Sequence, residues 1–164
     1  RIWEVLPSGE EKILHNGHWE ETAEDSTETR GFFIEDDGGF QKPMEYWIGA
    51  MVFTPDAKML ITGSRDNTIR FFEMPTMNEL RVVRGHNGWV RSLVVSPDGK
   101  VLISAGDDNT IRFWDIATGR NFRTDKTHGG AVRGIALSPD GLRLASASWD
   151  RTVKLWEGGV EPAE

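Results

Sequence analysis

The chain contains no cysteine among its 164 residues. That absence excludes disulfides, thiolate zinc sites and cysteine nucleophiles. It also agrees with a reducing compartment, so we expect an intracellular protein, cytoplasmic or nuclear. No apolar run approaches the roughly 18 residues of a membrane span, and no signal peptide is visible, so we expect no membrane partner.

No basic face is evident from the sequence either. The net charge is −7, and residues 19–45 hold nine acidic side chains against Arg30 and Lys42. The remaining chain is neutral, with 17 side chains of each sign. Because contacts to phosphates need clustered positive charge, we do not expect nucleic acid as a partner.

Three sequence landmarks recur with a spacing of 42 residues. They are a Pro-Asp turn (54–56, 96–98, 138–140), a second turn Asp (Asp66, Asp108, Asp150) and an aromatic residue (Phe72, Trp114, Trp156). Unrelated landmarks that share one period indicate a repeated supersecondary unit.

Each period divides into short strand-like segments. In the second period they cover 90–99, 100–108, 109–116 and a more polar 120–128. The inner segments are apolar on both faces, which predicts an all-β protein whose sheets are sandwiched between neighbouring sheets. Ala57 stands where the later Pro-Asp turns have Gly99 and Gly141, so we expect that turn to be strained or of another type.

Paired motifs at the two ends of each period carry a family resemblance. They are Gly85-His86 with Trp114-Asp115, His128 with Trp156-Glu157, and the degenerate Gly17-His18 with Phe72-Glu73. This pattern resembles the WD-repeat (WD40) β-propeller family. The resemblance implies blades that are four-stranded antiparallel sheets, and it covers nearly the whole chain except 19–45.

The blade count is too small for a closed ring. Only about three to four blades' worth is present, so we expect a piece of a larger propeller of about seven blades, or an assembly of several copies. The remaining blades would come from missing chain or from other copies. The expected divisions are a preceding partial blade (1–16), a loop with the acidic insertion (17–45), two blades (46–86, 87–128), a last blade without its outer strand (129–157) and a tail (158–164).

The resemblance also implies that a His, a Ser, an Asp and a Trp of each blade form a buried hydrogen-bond network. The two complete sets are His86, Ser104, Asp108, Trp114 and His128, Ser146, Asp150, Trp156. His, Ser and Asp also form hydrolase triads, but an exposed nucleophile and an oxyanion hole are not specified. The four histidines lack the ligand cluster of a metal site. We therefore expect no catalytic residue, no metal and no cofactor.

Partners of this family commonly dock on the face where the inner strands begin. The resemblance places six residues there: Trp47, Arg65, Trp89, Asp107, Ala131 and Trp149. Trp and Arg are enriched in interaction hot spots, although Trp47 and Trp89 could instead pack between blades. The acidic insertion at 19–45 is either a solvated loop without a binding role or a further partner-binding patch.

Together these features predict a non-catalytic scaffold for protein–protein interactions. It would present this face to proteins or peptides within a multidomain protein or a multisubunit complex. The alternative is an enzyme whose active site lies in the propeller channel or in the 19–45 loop.

Overall fold

A computed structural model describes residues 12–15, 18–21 and 47–158, and the chain separates into two units, Arg1–Glu45 and Tyr46–Glu164. In the first unit β1 (Lys12–His15) pairs antiparallel with β2 (His18–Glu21). Residues 1–11 of the predicted partial blade, the insertion beyond Glu21 and the tail after 158 lie outside the described residues.

Strand β2 lies where the sequence analysis predicts a loop. The residues between the two strands are Asn16-Gly17, a dipeptide that favours two-residue hairpin turns. The register pairs His15 with His18 and Lys12 with Glu21. This hairpin signal is local, and it is independent of the 42-residue repeat.

The second unit contains three antiparallel sheets. The first sheet has strand order β3-β4-β5-β6 and comprises β3 (Ile48–Phe53), β4 (Met59–Ser64), β5 (Thr68–Glu73) and β6 (Glu79–Arg84). The second has order β10-β9-β8-β7 and comprises β7 (Val90–Val95), β8 (Val101–Gly106), β9 (Ile111–Asp115) and β10 (Asn121–Asp125). The third has order β11-β12-β13 and comprises β11 (Val132–Leu137), β12 (Arg143–Ser148) and β13 (Val153–Glu157).

The predicted all-β class is confirmed, because every regular element in the described residues is a strand. Two hydrophobic cores lie between successive sheets. Ile61 and Phe71 of the first sheet pack with Trp114 of the second, and Ile103 of the second packs with Val132 of the third. A helix that is long and apolar enough to cross a bilayer does not occur in the described part of the chain.

The third sheet differs from the other two in what covers its outer face. Val153 is 74% exposed and Leu155 is 65% exposed, whereas the equivalent residues of the second sheet, Ile111 and Phe113, are buried. Within residues 47–158 no fourth strand pairs with β13. The apolar character of β13 is therefore that of an inner strand, although no sheet formed by residues 47–158 covers this face.

The Pro-Asp turns connect the first and second strands of each sheet at the same end. Gly99 and Gly141 have φ of 74°, and Ala57 has φ of 55°, so all three occupy the left-handed region. The first turn is therefore of the same type as the others and not of another type. An L-residue in this conformation costs roughly 1–2 kcal/mol, so Ala57 is the strained member of the series.

We predict that Ala57→Gly stabilises the protein. Relief of the left-handed strain outweighs the extra backbone entropy of glycine, so the free energy of unfolding should rise by about 0.5–1 kcal/mol. Differential scanning calorimetry should show a midpoint about 2–4 °C higher.

The matched control for this substitution is Gly99→Ala. A Cβ at that position would meet only Pro55 at 3.6 Å, so the backbone strain acts alone and the midpoint should fall. A lower midpoint for Ala57→Gly, or an unchanged one for Gly99→Ala, would contradict this interpretation.

Candidate functional site

A chain of hydrogen bonds runs through the second sheet from Trp114 to Asp108. The indole Nε1–H of Trp114 donates to Ser104 Oγ at 2.8 Å. Ser104 Oγ lies 2.7 Å from His86 Nε2, and His86 Nδ1 lies 2.9 Å from Asp108 Oδ2. Because a carboxylate only accepts, Nδ1 carries the proton, and in the neutral ring Nε2 accepts from the serine hydroxyl. Every donor in the chain thus has an acceptor.

Asp108 also organises the turn that contains it. Its carboxylate accepts from the Asn87 backbone N–H at 2.9 Å and from the Thr110 hydroxyl at 2.8 Å. Burial alone raises the pKa of Asp108, but the hydrogen bonds that its carboxylate accepts from His86, from the Asn87 backbone and from Thr110 lower the pKa to well below its ordinary value. The ionised carboxylate therefore joins the loop before β7 to the turn between β8 and β9.

The third sheet repeats this arrangement in a more exposed setting. His128 Nδ1 and Nε2 lie 2.7 Å from Asp150 Oδ2 and Ser146 Oγ, respectively. Trp156 Nε1–H donates to Ser146 at 3.2 Å. The hydrogen bond from Thr152 lowers the pKa of Asp150, with a further contribution from His128. The tryptophan contact is longer here than in the second sheet.

Neither set has the geometry of a hydrolase triad. Ser104 is 0% exposed and Ser146 is 1% exposed, so a substrate carbonyl cannot reach either hydroxyl. Among the described residues no group of His, Asp and Glu side chains is arranged to hold a metal ion. What these two sets can do is hold strands and turns in register.

The six residues predicted for the partner face come together in three pairs, one pair in each sheet. In each pair the residue before the turn Asp donates its backbone N–H to the carbonyl of the residue preceding the first strand. The bonds are Arg65 to Trp47 at 2.8 Å, Asp107 to Trp89 at 2.9 Å and Trp149 to Ala131 at 2.9 Å. All three pairs therefore lie at the same end of their sheets.

Side chains connect these pairs from one sheet to the next. The Arg65 guanidinium lies 5.6 Å from the ring centroids of both Trp47 and Trp89, and the two indoles meet edge to face at 6.3 Å. Arg91 stacks on Trp89 at 3.4 Å and donates two hydrogen bonds to Asp107, at 2.7 and 3.0 Å.

These side-chain contacts continue from the second sheet into the third. Arg133 pairs with Asp107 at 3.4 Å and stacks on Trp149 at 3.5 Å. A continuous series of indoles and charges therefore crosses the ends of all three sheets. We call this series the rim and define it as Trp47, Arg65, Trp89, Arg91, Asp107, Arg133 and Trp149.

The sequence analysis did not single out Arg91 and Arg133. Both follow their strand's first residue with the 42-residue spacing, and the equivalent in the first sheet is Gly49. A Cβ at Gly49 would lie 2.4 Å from Trp89 Nε1, so the glycine leaves room for that indole. The period itself could have revealed both arginines.

Exposure separates the members of the predicted face. Trp149 is 69% exposed and Trp47 is 53% exposed, whereas Trp89 is half-buried beneath Arg91. Ala131 is only 9% exposed, so it offers a partner no side-chain surface, and its role in the pair is its backbone carbonyl. The exposed indoles lie at the two ends of the rim.

A protein-family model described as WD domain, G-beta repeat, matches residues 42–73, 77–115 and 119–157. The matches cover about two thirds of the chain. Each matched segment ends at the last residue of β5, β9 or β13. The resemblance read from the motifs is confirmed.

We predict that Ser104→Ala is strongly destabilising. It leaves His86 Nε2 and the Trp114 indole N–H buried without partners, which should lower the free energy of unfolding by about 2–4 kcal/mol. Ser146→Ala is the matched control, because Trp156 is partly exposed and its N–H can turn to water. Urea unfolding should show a clearly smaller loss for Ser146→Ala; equal losses would contradict the difference between the two networks.

Proposed function

The chain belongs to the WD40 family of G-beta repeats, and from this premise we propose that it is a scaffold that presents the rim to other proteins or peptides within a multidomain protein or multisubunit complex. WD40 repeats generally bind other proteins and are typically non-catalytic. What we propose beyond this general role is that the rim is the binding surface and that the chain works within a larger assembly.

The observation that carries the proposal is the exposure of two indoles beside stacked guanidinium groups. Exposure of a tryptophan side chain does not stabilise a fold, because contact of apolar ring surface with water is unfavourable. Trp149 and Trp47 are nevertheless more than half exposed. Tryptophan and arginine are the residue types most enriched where protein interfaces derive their binding energy.

The uncovered face of the third sheet supports the larger assembly. Val153 and Leu155 have buried equivalents in the first and second sheets, where a neighbouring sheet covers them. We propose that a further propeller sheet covers them here as well. Segments 46–86, 87–128 and 129–157 are then successive blades of one propeller.

The enzyme alternative has no comparable support. The two serines that match a triad are buried, and their histidines and aspartates are engaged in the same hydrogen bonds. The exposed chemistry at the rim consists of indoles, guanidinium groups and one carboxylate, which is suited to recognition.

Affinity capture with the immobilised chain tests the proposal. The Trp47→Ala/Trp149→Ala double variant should lose captured proteins by about tenfold or more, because it removes the exposed indoles and leaves the networks intact. The matched control is Leu80→Ala/Leu142→Ala, which removes two leucines that are each 54% exposed and lie off the rim.

Quantitative mass spectrometry of the captured proteins gives the readout, and circular dichroism shows that all variants are folded. The control should retain the wild-type set of proteins. Equal recovery by the indole variant and the leucine variant would remove the rim from consideration.

A further inference from the structure

We propose that the partner segment bound by the rim is an acidic peptide of another protein, whose carboxylates pair with Arg65 and Arg133 between the exposed indoles. This inference rests on the proposed function, since it names the chemistry of the partner for the same surface. It follows from the balance of charge and of hydrogen-bond donors on the rim.

The charge of the rim is positive although the whole chain is acidic. Residues 47–158 contain 15 basic and 12 acidic side chains. On the rim three arginines face one carboxylate, that of Asp107. The acids of the neighbouring turns are already bound, because Asp66 pairs with Arg70 at 3.0 Å and Asp108 and Asp150 are held by histidines.

Arg65 is the most available cation of the rim. Its side chain is exposed, and no acidic side chain within residues 47–158 lies within ion-pair distance of it. The guanidinium lies 5.6 Å from the ring centroids of both Trp47 and Trp89. The planar guanidinium group presents parallel donors that match the two oxygens of a carboxylate.

Asp107 makes more hydrogen bonds with Arg91 than with Arg133. It accepts two hydrogen bonds from Arg91, at 2.7 and 3.0 Å, but makes a single ion pair with Arg133 at 3.4 Å. The Nε atom of Arg133 is buried without an acceptor. Because Nε is buried, a partner can reach only the Nη atoms of this guanidinium group, which form the single ion pair with Asp107 and can also donate to a second carboxylate.

A basic peptide fits this surface poorly. Exposed indoles can bind cations on their faces, but the face of Trp149 already carries Arg133 at 3.5 Å, and Arg65 lies beside Trp47. A further cation would find these positions taken and would be repelled by the arginines. The carboxylates of an acidic segment would instead pair with the guanidinium groups of Arg65 and Arg133, and an apolar or aromatic residue of that segment would contact the exposed edges of the indoles.

Fluorescence anisotropy with three labelled peptides of equal length tests the assignment. One is rich in Asp and Glu with a single Phe, one carries Asn and Gln in their place, and one carries Lys and Arg. The acidic peptide should bind at least about tenfold more tightly than the other two, and its affinity should fall with added salt. Equal or tighter binding of the neutral or basic peptide would overturn the inference.

Two charge variants locate the bound peptide. Arg65→Gln should weaken acidic-peptide binding about tenfold, since it removes a charge-assisted pair. Arg120→Gln is the matched control because Arg120 is exposed in the turn between β9 and β10, at the opposite end of the sheet from the rim, and affinity should stay within about twofold. An equal loss in both variants would show attraction by general charge and would overturn the assignment to the rim.

The two proposals can fail separately. Binding of a basic or neutral peptide that is lost in Trp47→Ala/Trp149→Ala would overturn the acidic partner and leave the rim as a binding surface. If acidic-peptide binding is unaffected by both Arg65→Gln and the indole double variant, the acidic partner of the rim is overturned, and equal recovery of captured proteins by the indole and leucine variants overturns the rim as a binding surface.

Discussion

The hydrogen bonds of His86 join a buried strand of the second sheet to the turn that carries Asp107, and the position of the rim depends on them. One ring nitrogen contacts Ser104 in the middle of a buried strand, and the other contacts Asp108 in an outer turn. Because Asp108 also accepts from the Asn87 backbone, the loop before β7 and the turn after β8 are joined. Asp107 precedes this anchor directly, so the network determines where the rim residue lies. His128 and Asp150 do the same for Trp149.

In each repeat the backbone at the rim is held in the same way, whereas the side chain that it carries differs. The backbone places Arg65, Asp107 and Trp149 in equivalent positions, each bonded to the residue that precedes the first strand of its sheet. Their side chains differ completely in charge and size, because the hydrogen bonds that position them involve only the backbone. Three equivalent positions can therefore carry a cation, an anion and an indole, and together they form a surface of specific composition. The protein-binding role general to WD40 repeats is compatible with such a surface.

The repeat made much of the fold and of the networks predictable from sequence. The resemblance to WD40 repeats implied that His86, Ser104 and Asp108 form one network, and the 42-residue period showed that the same set recurs in the next repeat. Contacts between sheets, such as Arg133 with Asp107, depend on the lateral spacing of the sheets, which no local pattern encodes. The resemblance and the period also placed Ala131 on the predicted partner face, but its side chain is buried.

The central claim is that the repeated Trp and Asp residues form internal hydrogen bonds that hold each sheet together. Hydrogen exchange of indole N–H groups, measured by NMR, tests it most directly. Trp114 is 2% exposed and bonded to Ser104, so its N–H should exchange only on global unfolding, about a thousandfold or more slowly than that of Trp149, which is 69% exposed. Exchange of the Trp114 indole as fast as that of Trp149 would contradict the claim.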